Sequence, residues 1–322
     1  MSSSYLGCDV SKRKIQLALL LPNGKFRTKA ISNDSKGFQA LSEWLAFHKV
    51  EVLHVCMEAT NTYWEALAEY LNDQSYVVSV VNPARIKAFA QSTLTRTKTD
   101  PVDARLIARF CSLHRPEPWQ APPREVRELY ALVARRQALI EMHTQEKSRL
   151  DTANPAIKPD LKAHLDYLNK AIAEIEQAIR DHFDNHPGLK RQKTLLESIP
   201  GIGEVISSIL LAFLGGPQRF RRASQVVAFA GLDPRHIQSG SRIEGKPRMS
   251  KTGHRFLRRA LYFPAVVTLY RTEWGKHFRQ RLSARGKPPK LIIGAMMRKL
   301  LHVAFGVLKS GKPFDPSLHQ LA

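Results

Sequence analysis

The sequence has few cysteines and few acidic residues, and it lacks long apolar runs. Its three cysteines, Cys8, Cys56 and Cys111, are odd in number and far apart along the chain. They therefore supply neither a disulfide framework nor a Cys-x-x-Cys metal site. The sequence also shows no signal-peptide pattern and no uninterrupted apolar run of membrane-spanning length. We expect a soluble protein of a reducing compartment, the cytoplasm, without a membrane partner.

The shortage of acids gives the chain a strong positive charge. Its 322 residues contain 50 Lys and Arg against 28 Asp and Glu, a net charge of +22. Such a charge attracts polyanions and makes their binding steeply dependent on salt. An apolar content of 43% over this length is sufficient for two globular domains. Nucleic acid is the expected partner, and the simplest alternative is a basic, non-catalytic protein such as a ribosome-associated factor.

The first part of the chain, residues 1–120, alternates strand and helix patterns. Two strand-like segments are joined by the Asn23-Gly24 turn signal, and helices then alternate with short, β-rich, apolar runs. The resulting order, β-β-β-α-β-α-β-α, predicts an α/β fold with a mixed sheet covered by helices, of the ribonuclease H kind.

The remainder of the chain has mainly helical patterns. Residues 121–187 predict two long helices separated by a break at Pro155 and Pro159, a hairpin or coiled-coil arm. So long an arm buries little against one small domain, and we expect it to pair with another subunit or to grip nucleic acid, an intramolecular packing role being the alternative. Residues 188–322 predict a mainly α-helical domain. One apolar stripe follows the second arm helix: Leu165, Leu168, Ile172, Ile175 and Ile179.

Two acids three residues apart, Asp100 and Asp103, stand in a stretch rich in lysine and arginine. As a local feature, Asp100 before Pro101 is a good helix N-cap, and Asp103 occupies the acid position of a capping box. Two further acids favour a catalytic role: Asp9 lies on the strand face opposite Leu6, Cys8 and Val10, and Glu58 lies where a buried strand ends.

These four acids could meet at one edge of the sheet. The carboxyl ends of parallel strands are where ligands gather in α/β sheets, so Asp9 and Glu58 become neighbours if their strands are adjacent. A later helix could then bring Asp100 and Asp103 to the same point. Crowded carboxylates repel unless cations lie between them, and Mg²⁺ or Mn²⁺ is the expected ion because both prefer oxygen ligands. Such ions can assist phosphodiester cleavage.

Two further segments predict contacts with nucleic acid. Gly201 and Gly203, in residues 199–210, are typical of a helix-hairpin-helix turn whose backbone N–H groups bind phosphate, although an ordinary turn between helices gives the same pattern. Residues 238–259 form a basic loop leading into a helix, in which Ser239 and Ser241 flank a glycine; from the residues alone, these serines are more typical of phosphate hydrogen bonding than of nucleophilic attack. The expected phosphate-binding cations are Arg96, Lys98, Arg105, Arg242, Lys246, Arg248, Lys251, Arg255, Arg258 and Arg259.

Taken together, these segments resemble a known family. The motifs that carry the resemblance are GCDVSKRK, CMEATNTYWE, NPARIKAFAQS, TKTDPVDAR, LLESIPGIG, FAGLDP, SGSRIEGKPRMSKTGHRFLRRALY and TEWGKHF. They extend over nearly the whole chain and resemble the insertion-sequence transposases of the IS-one-hundred-ten group, which include bridge-RNA-guided recombinases and are related to Piv-type DNA invertases.

The resemblance implies a function that spacing alone does not. Asp9, Glu58, Asp100 and Asp103 would be the four metal-binding carboxylates of a DEDD, RuvC-like domain. Ser239, with Ser241 as the fallback, would be the nucleophile that forms a covalent phosphoserine link to DNA. The family works as a homo-oligomer, here a dimer or tetramer, in which the arm joins subunits and two subunits complete each active site. Donor and target double-stranded DNA would be specified by a non-coding bridge RNA, in the bacterial cytoplasm at the nucleoid.

Three alternatives remain open at this point. A Holliday-junction resolvase or similar metal nuclease would use the same acids with water as the nucleophile. A sugar or acetate kinase of the actin-like fold would also begin with a Gly-x-Asp hairpin, but the high positive charge and the lack of a second glycine-rich phosphate loop argue against it. A non-catalytic packaging protein for RNA or DNA would have no use for the four acids.

Overall fold

The computed structural model describes residues 3–59, 62–93, 99–216, 219–239 and 243–319, and for residues 236–239, 243–247 and 319 it describes the backbone only. The chain forms two compact units, Met1–Ala121 and Pro122–Ala322, called here the first and second unit. The boundary lies next to the predicted end of the first domain. The further division of the second unit into an arm and a C-terminal domain stays a prediction.

The first unit is a five-stranded mixed sheet with helices on both faces. Its elements are β1 (Ser4–Val10), β2 (Lys14–Leu20), β3 (Phe26–Ser32), α1 (Ser35–Phe47), β4 (Leu53–Glu58), α2 (Glu65–Asp73), β5 (Val77–Val81), α3 (Pro83–Ser92) and α4 (Asp100–His114). The strand order is β3-β2-β1-β4-β5. Strand β2 runs antiparallel to its neighbours β1 and β3, and β1, β4 and β5 run parallel to one another. This confirms the predicted α/β fold and the predicted order of its elements.

The two faces of the sheet are covered by different helices. Leu6, Cys8 and Val10 of β1 belong to the core that includes buried residues of α1 and α2. Tyr5 and Cys56 belong to a second, smaller core that includes residues of α3 and α4. Because successive strand residues alternate between faces, the odd-numbered residues of β1 face the side that α4 covers.

The second unit is mainly helical. It begins with two long helices, α5 (Arg124–Thr152) and α6 (Lys158–Asn185), separated by a short 3₁₀ turn at Pro155–Ile157, as the proline pair predicts. The remaining elements are α7 (Pro187–Glu197), α8 (Glu204–Leu214), α9 (Ala223–Ala230), β6 (Pro234–Ser239), β7 (Ile243–Met249), α10 (Arg255–Ala260), α11 (Tyr262–Arg271), α12 (Glu273–Ala284) and α13 (Pro289–Ser310).

The arm is partly embedded in the second unit's core. Leu168 and Ile179 of the predicted stripe are buried, and Leu165, Ile172 and Ile175 are half-buried. The Arg136 guanidinium on α5 pairs with the Glu176 carboxylate on α6 at 2.6 Å. By length and composition alone α13 could cross a membrane, but 56% of its apolar window is buried, as in a core helix.

One local prediction in the second unit is wrong. The segment that follows α9 is predicted to be a basic loop, whereas the structure has an antiparallel β-hairpin in which Arg235 pairs with Arg248 and Ser239 pairs with Ile243. A register irregularity lies between Arg235 and Ile237. Glycine, proline and charged residues hide the strand pattern here, and strand formation depends on cross-strand partners more than on intrinsic propensity.

Candidate functional site

The carboxyl ends of β1 and β4 bring Asp9 and Glu58 to one edge of the sheet. The two strands are parallel neighbours, with Gly7 opposite Cys56 and Cys8 opposite Met57. Cys8 and Met57 face the α1 and α2 side, so the next residues, Asp9 and Glu58, face the α4 side. Both acids are half-buried. The expected adjacency of their strands is therefore present, and the two acids share a face as well as an edge.

Helix α4 adds the other two acids. It starts at Asp100 and contains Asp100 and Asp103 in its first turn. The N-cap is Thr99, whose backbone is extended and whose carbonyl oxygen accepts from the Asp103 N–H at 2.9 Å. The predicted cap at Asp100 is thus displaced by one residue, and both acids lie within the helix, where their charges are favoured by its dipole.

A glycine on β1 lets α4 pass very close to the sheet. A Cβ atom at Gly7 would lie 2.1 Å from the Ala104 carbonyl oxygen and 2.4 Å from the Ala108 nitrogen. Backbone atoms of α4 therefore occupy the space that any other residue at position 7 would need. Because Ala104 follows Asp103 directly and Gly7 is two residues before Asp9, this crossing holds the start of α4 near the carboxyl end of β1.

An ion pair marks the same edge of the sheet. Lys14, the first residue of β2, has its ammonium 3.3 Å from the Asp100 carboxylate, and both side chains are more than half exposed. Lys14 is adjacent to Ile15, which pairs with Val10 at the end of β1. The start of α4 is therefore beside the beginning of β2 and next to the end of β1, and the convergence of all four acids stays a prediction. Sequence reasoning missed Lys14, whose only signal was its place at the beginning of β2.

The donor set suits hard divalent cations. Four carboxylates supply oxygen ligands only, the type that Mg²⁺ and Mn²⁺ prefer. Neighbouring thiols do not compete: burial raises the pKa of Cys8 well above its usual value, and a hydrogen bond with Cys56, followed by burial, raises the pKa of Cys111. All three cysteines are buried and free, and the raised pKa values keep the Cys8 and Cys111 thiols protonated at neutral pH.

The turn predicted at Gly201 and Gly203 lies between α7 and α8. Gly201 has φ +102, and a Cβ there would lie 2.1 Å from Thr268 Oγ1, so the turn requires glycine at this position. Gly203 is exposed and is the N-cap of α8. Glu204 follows it, and its carboxylate accepts from the Lys193 ammonium at 2.8 Å, which lowers the pKa of Glu204. A phosphate bound at this turn would lie near the Lys193 ammonium and the Glu204 carboxylate. Phosphate binding here stays a prediction.

The predicted phosphate-binding residues have different surroundings. Arg105 is exposed and its guanidinium stacks on the Phe26 ring at 5.9 Å. Arg248, Lys251 and Arg255 are exposed. Arg96, Lys98, Ser241 and Arg242 lie outside the described residues, as do the side chains of Ser239 and Lys246; the Ser239 backbone ends β6.

Two of the predicted arginines contact protein groups. Arg258 is half-buried and donates from Nη1 to the Ala230 carbonyl oxygen at 3.0 Å, closing the C-terminus of α9. Arg259 is exposed, and its guanidinium is 3.4 Å from the Glu141 carboxylate. The contact of Arg258 is that of a structural residue, so of the two, Arg259 is the better placed for phosphate.

A second group of metal-type ligands escaped the sequence analysis. Glu128 on α5 lies with His182 and His186 at the end of α6, and one ligand atom from each lies within 4.8 Å of the others. The available signal was the spacing of the two histidines, His-x-x-x-His on a predicted helix, which places both on one face.

Two family models match different parts of the chain. Residues 6–157 match a family model for DEDD transposases of the IS110 group, described as a transposase. Residues 193–288 match a model described as the transposase IS116/IS110/IS902 family. The RuvC protein of T. thermophilus, solved in complex with a Holliday junction substrate, is 12% identical, with a TM-score of 0.28 over 36% of this chain and 99% of that one.

Similar curated proteins cover the chain from end to end. The pilin gene-inverting protein of Moraxella bovis is 33% identical over 99% of this chain and 100% of its own length, and that of Moraxella lacunata is 32% identical over the same shares. The transposase for insertion sequence element IS1328 of Yersinia enterocolitica is 27% identical over 65% of this chain and 69% of its own. The chain therefore belongs to the IS110 family of transposases and is an enzyme of DNA transposition and site-specific recombination.

Proposed function

We propose that this transposase cuts and rejoins DNA through a covalent phosphoserine intermediate, with Asp9, Glu58, Asp100 and Asp103 holding divalent metal ions, Mg²⁺ or Mn²⁺. The observation that carries the proposal is the packing of α4 on β1 at Gly7, which supports the convergence of all four acids at one sheet edge. When bound, such ions stabilise the charge that develops on phosphoryl oxygens.

In the proposed reaction the serine oxygen replaces a strand oxygen on phosphorus. As Ser239 Oγ loses its proton and bonds to phosphorus, the bond from phosphorus to the leaving strand oxygen breaks, and that oxygen takes up a proton. The phosphodiester energy is conserved in the serine ester, so a hydroxyl of a second strand can attack and release the serine. Exposed cations such as Arg248 and Arg255 would position the strand.

The first experiment compares Ser239→Ala and Ser241→Ala in cleavage of DNA that carries the element ends, read on denaturing gels. We expect Ser239→Ala to abolish both cleavage and the protein–DNA adduct, and Ser241→Ala to retain them. The reverse pattern would move the nucleophile to Ser241. Cleavage that persists without an adduct in both variants would instead favour the resolvase-like alternative, in which water is the nucleophile.

The second experiment tests the acids. We expect Asp103→Asn to remove metal-dependent cleavage, whereas Asp73→Asn, on the exposed last residue of α2, leaves it unchanged. A fully active Asp103→Asn variant would contradict the proposed metal site. Chelation by EDTA and restoration by Mg²⁺ or Mn²⁺ identify the ion class.

We also propose that each active site combines the acids of one subunit with the serine of another in a dimer or tetramer. Asp103→Asn and Ser239→Ala chains, inactive alone, would then regain part of their cleavage when mixed, because one mixed site has both intact groups. No recovery on mixing, with mixed oligomers verified by differently tagged chains, would show that both groups come from one subunit.

Guidance by a bridge RNA is the final part of the proposal. The net charge of +22 supports RNA as well as DNA as a partner. We expect a specific non-coding RNA to co-purify at low salt and to be required for recombination in the bacterial cytoplasm, at the nucleoid. Recombination by RNA-free protein would refute RNA guidance while leaving the serine mechanism intact.

A further inference from the structure

The histidine and glutamate group at the base of the arm lies in the second unit and, unlike the four acids, includes imidazole nitrogens. Its members come from the beginning of α5 and the end of α6, which are separated along the chain by the whole length of the hairpin. One ligand atom from each of Glu128, His182 and His186 lies within 4.8 Å of the other two. A single ion could therefore contact all three.

The hydrogen bonds of the two imidazoles leave one ring nitrogen of each as a lone-pair donor. His182 Nε2 lies 2.7 Å from the Glu125 carbonyl oxygen, and His186 Nδ1 lies 2.7 Å from the His182 carbonyl oxygen. A carbonyl oxygen only accepts, so these nitrogens carry the hydrogens. In the neutral rings Nδ1 of His182 and Nε2 of His186 then hold the lone pairs. Donation of the second ring nitrogen to a backbone carbonyl is the usual support of a metal-bound histidine.

The surroundings also favour a cation. His182 lies in the last turn of α6, where the helix dipole contributes partial negative charge, and His186 is the residue between α6 and α7. Glu128 accepts from Arg124 Nε at 2.8 Å through Oε1, so its second carboxylate oxygen could take a metal while this contact remains. His182 is buried, and the two ring centroids are only 4.2 Å apart.

We infer that Glu128, His182 and His186 bind one divalent transition-metal ion of the zinc class, which ties the two ends of the arm together at its base. Two imidazole nitrogens and one carboxylate oxygen suit Zn²⁺, Co²⁺ or Ni²⁺, whereas Mg²⁺ prefers oxygen ligands and keeps several waters. Three protein ligands leave further positions for water. The role is structural, and it is independent of the chemistry at the four acids.

The experiment uses Co²⁺ as a spectroscopic probe and Zn²⁺ as its competitor, on the full chain in excess Mg²⁺ so that oxygen-only sites are filled. We expect one Co²⁺ per chain with visible d–d bands of nitrogen and oxygen ligation, displaced by Zn²⁺, and a melting temperature that rises with Zn²⁺ concentration. The intense near-ultraviolet band of a cobalt–thiolate bond should be absent, because the buried cysteines are not ligands.

The variants decide which side chains bind. His186→Gln and Glu128→Gln, at half-buried positions, should each lower Co²⁺ affinity by more than roughly 100-fold, the upper end of losses seen for outer-shell partners. His143→Gln, on α5 outside the group, should bind as the wild type does. Circular dichroism checks that each variant is folded. Equal affinity in the wild type, His186→Gln and Glu128→Gln, or no Co²⁺ binding by the wild type, would overturn the inference and leave a packed histidine pair.

Discussion

The contact between β1 and α4 predicts that Gly7→Ala impairs stability and activity together. The new Cβ would lie 2.1 Å from the Ala104 carbonyl oxygen, against the 3.4 Å at which ordinary contact begins, so α4 must retreat by about 1.3 Å. All three atoms nearest to the new methyl belong to the backbone, so no side-chain rotation can relieve the clash. Overpacking of this kind costs about 1–3 kcal/mol of unfolding free energy.

The same retreat affects catalysis, because α4 carries Asp100 and Asp103. A displacement of about 1 Å at a catalytic group can lower the rate by about 100-fold. We therefore expect Gly7→Ala to reduce strand cleavage by roughly this factor under conditions in which the variant is still folded. Cleavage would fall more than the folded fraction does, which distinguishes misplacement of the acids from simple unfolding.

Urea denaturation followed by tryptophan fluorescence measures the stability change, since Trp44, Trp64 and Trp119 all lie in the first unit. With a typical slope, a loss of 2 kcal/mol moves the midpoint by about 1 M. The control is Gly306→Ala in α13, where a Cβ meets nothing within 4 Å and a helix interior gains from alanine. A Gly7→Ala protein with the midpoint and cleavage rate of this control would refute the close packing.

Three further predictions concern the second unit. Burial, and then the charges of nearby arginines, lower the pKa of His254 below 6.5. The unfolded chain then binds more protons below that pH, so the unfolding free energy falls as pH drops through 6.5; His254→Asn should flatten this dependence in denaturation between pH 7.5 and 5.5. Arg258→Ala should lose roughly 1–2 kcal/mol of unfolding free energy, because it removes the hydrogen bond to the Ala230 carbonyl oxygen. Arg255 is exposed, so Arg255→Ala should keep the stability of the wild type. It should instead lower by about 1 the slope of the logarithm of DNA affinity against the logarithm of salt concentration.

Much of the first unit is determined by local patterns in the sequence. Alternation along β1 places Asp9 on the face opposite Cys8, and the apolar and helical periods give the correct element order. The excess of Lys and Arg likewise indicates a polyanionic partner without any fold. These properties depend on composition and on residues close together in the sequence, so the sequence alone is sufficient to predict them.

Other features were decided by the tertiary structure alone. Nothing in the sequence indicates that position 7 needs glycine, because the requirement comes from the passage of α4 over β1. Arg258 likewise resembles the neighbouring cations in the sequence, and only the structure shows that its guanidinium binds the Ala230 carbonyl oxygen. The β6–β7 hairpin and the approach of Glu128 to His182 likewise depend on segments far apart in the chain. Strand pairing and helix docking depend on packing between segments far apart in the chain, and short sequence patterns do not reveal such packing.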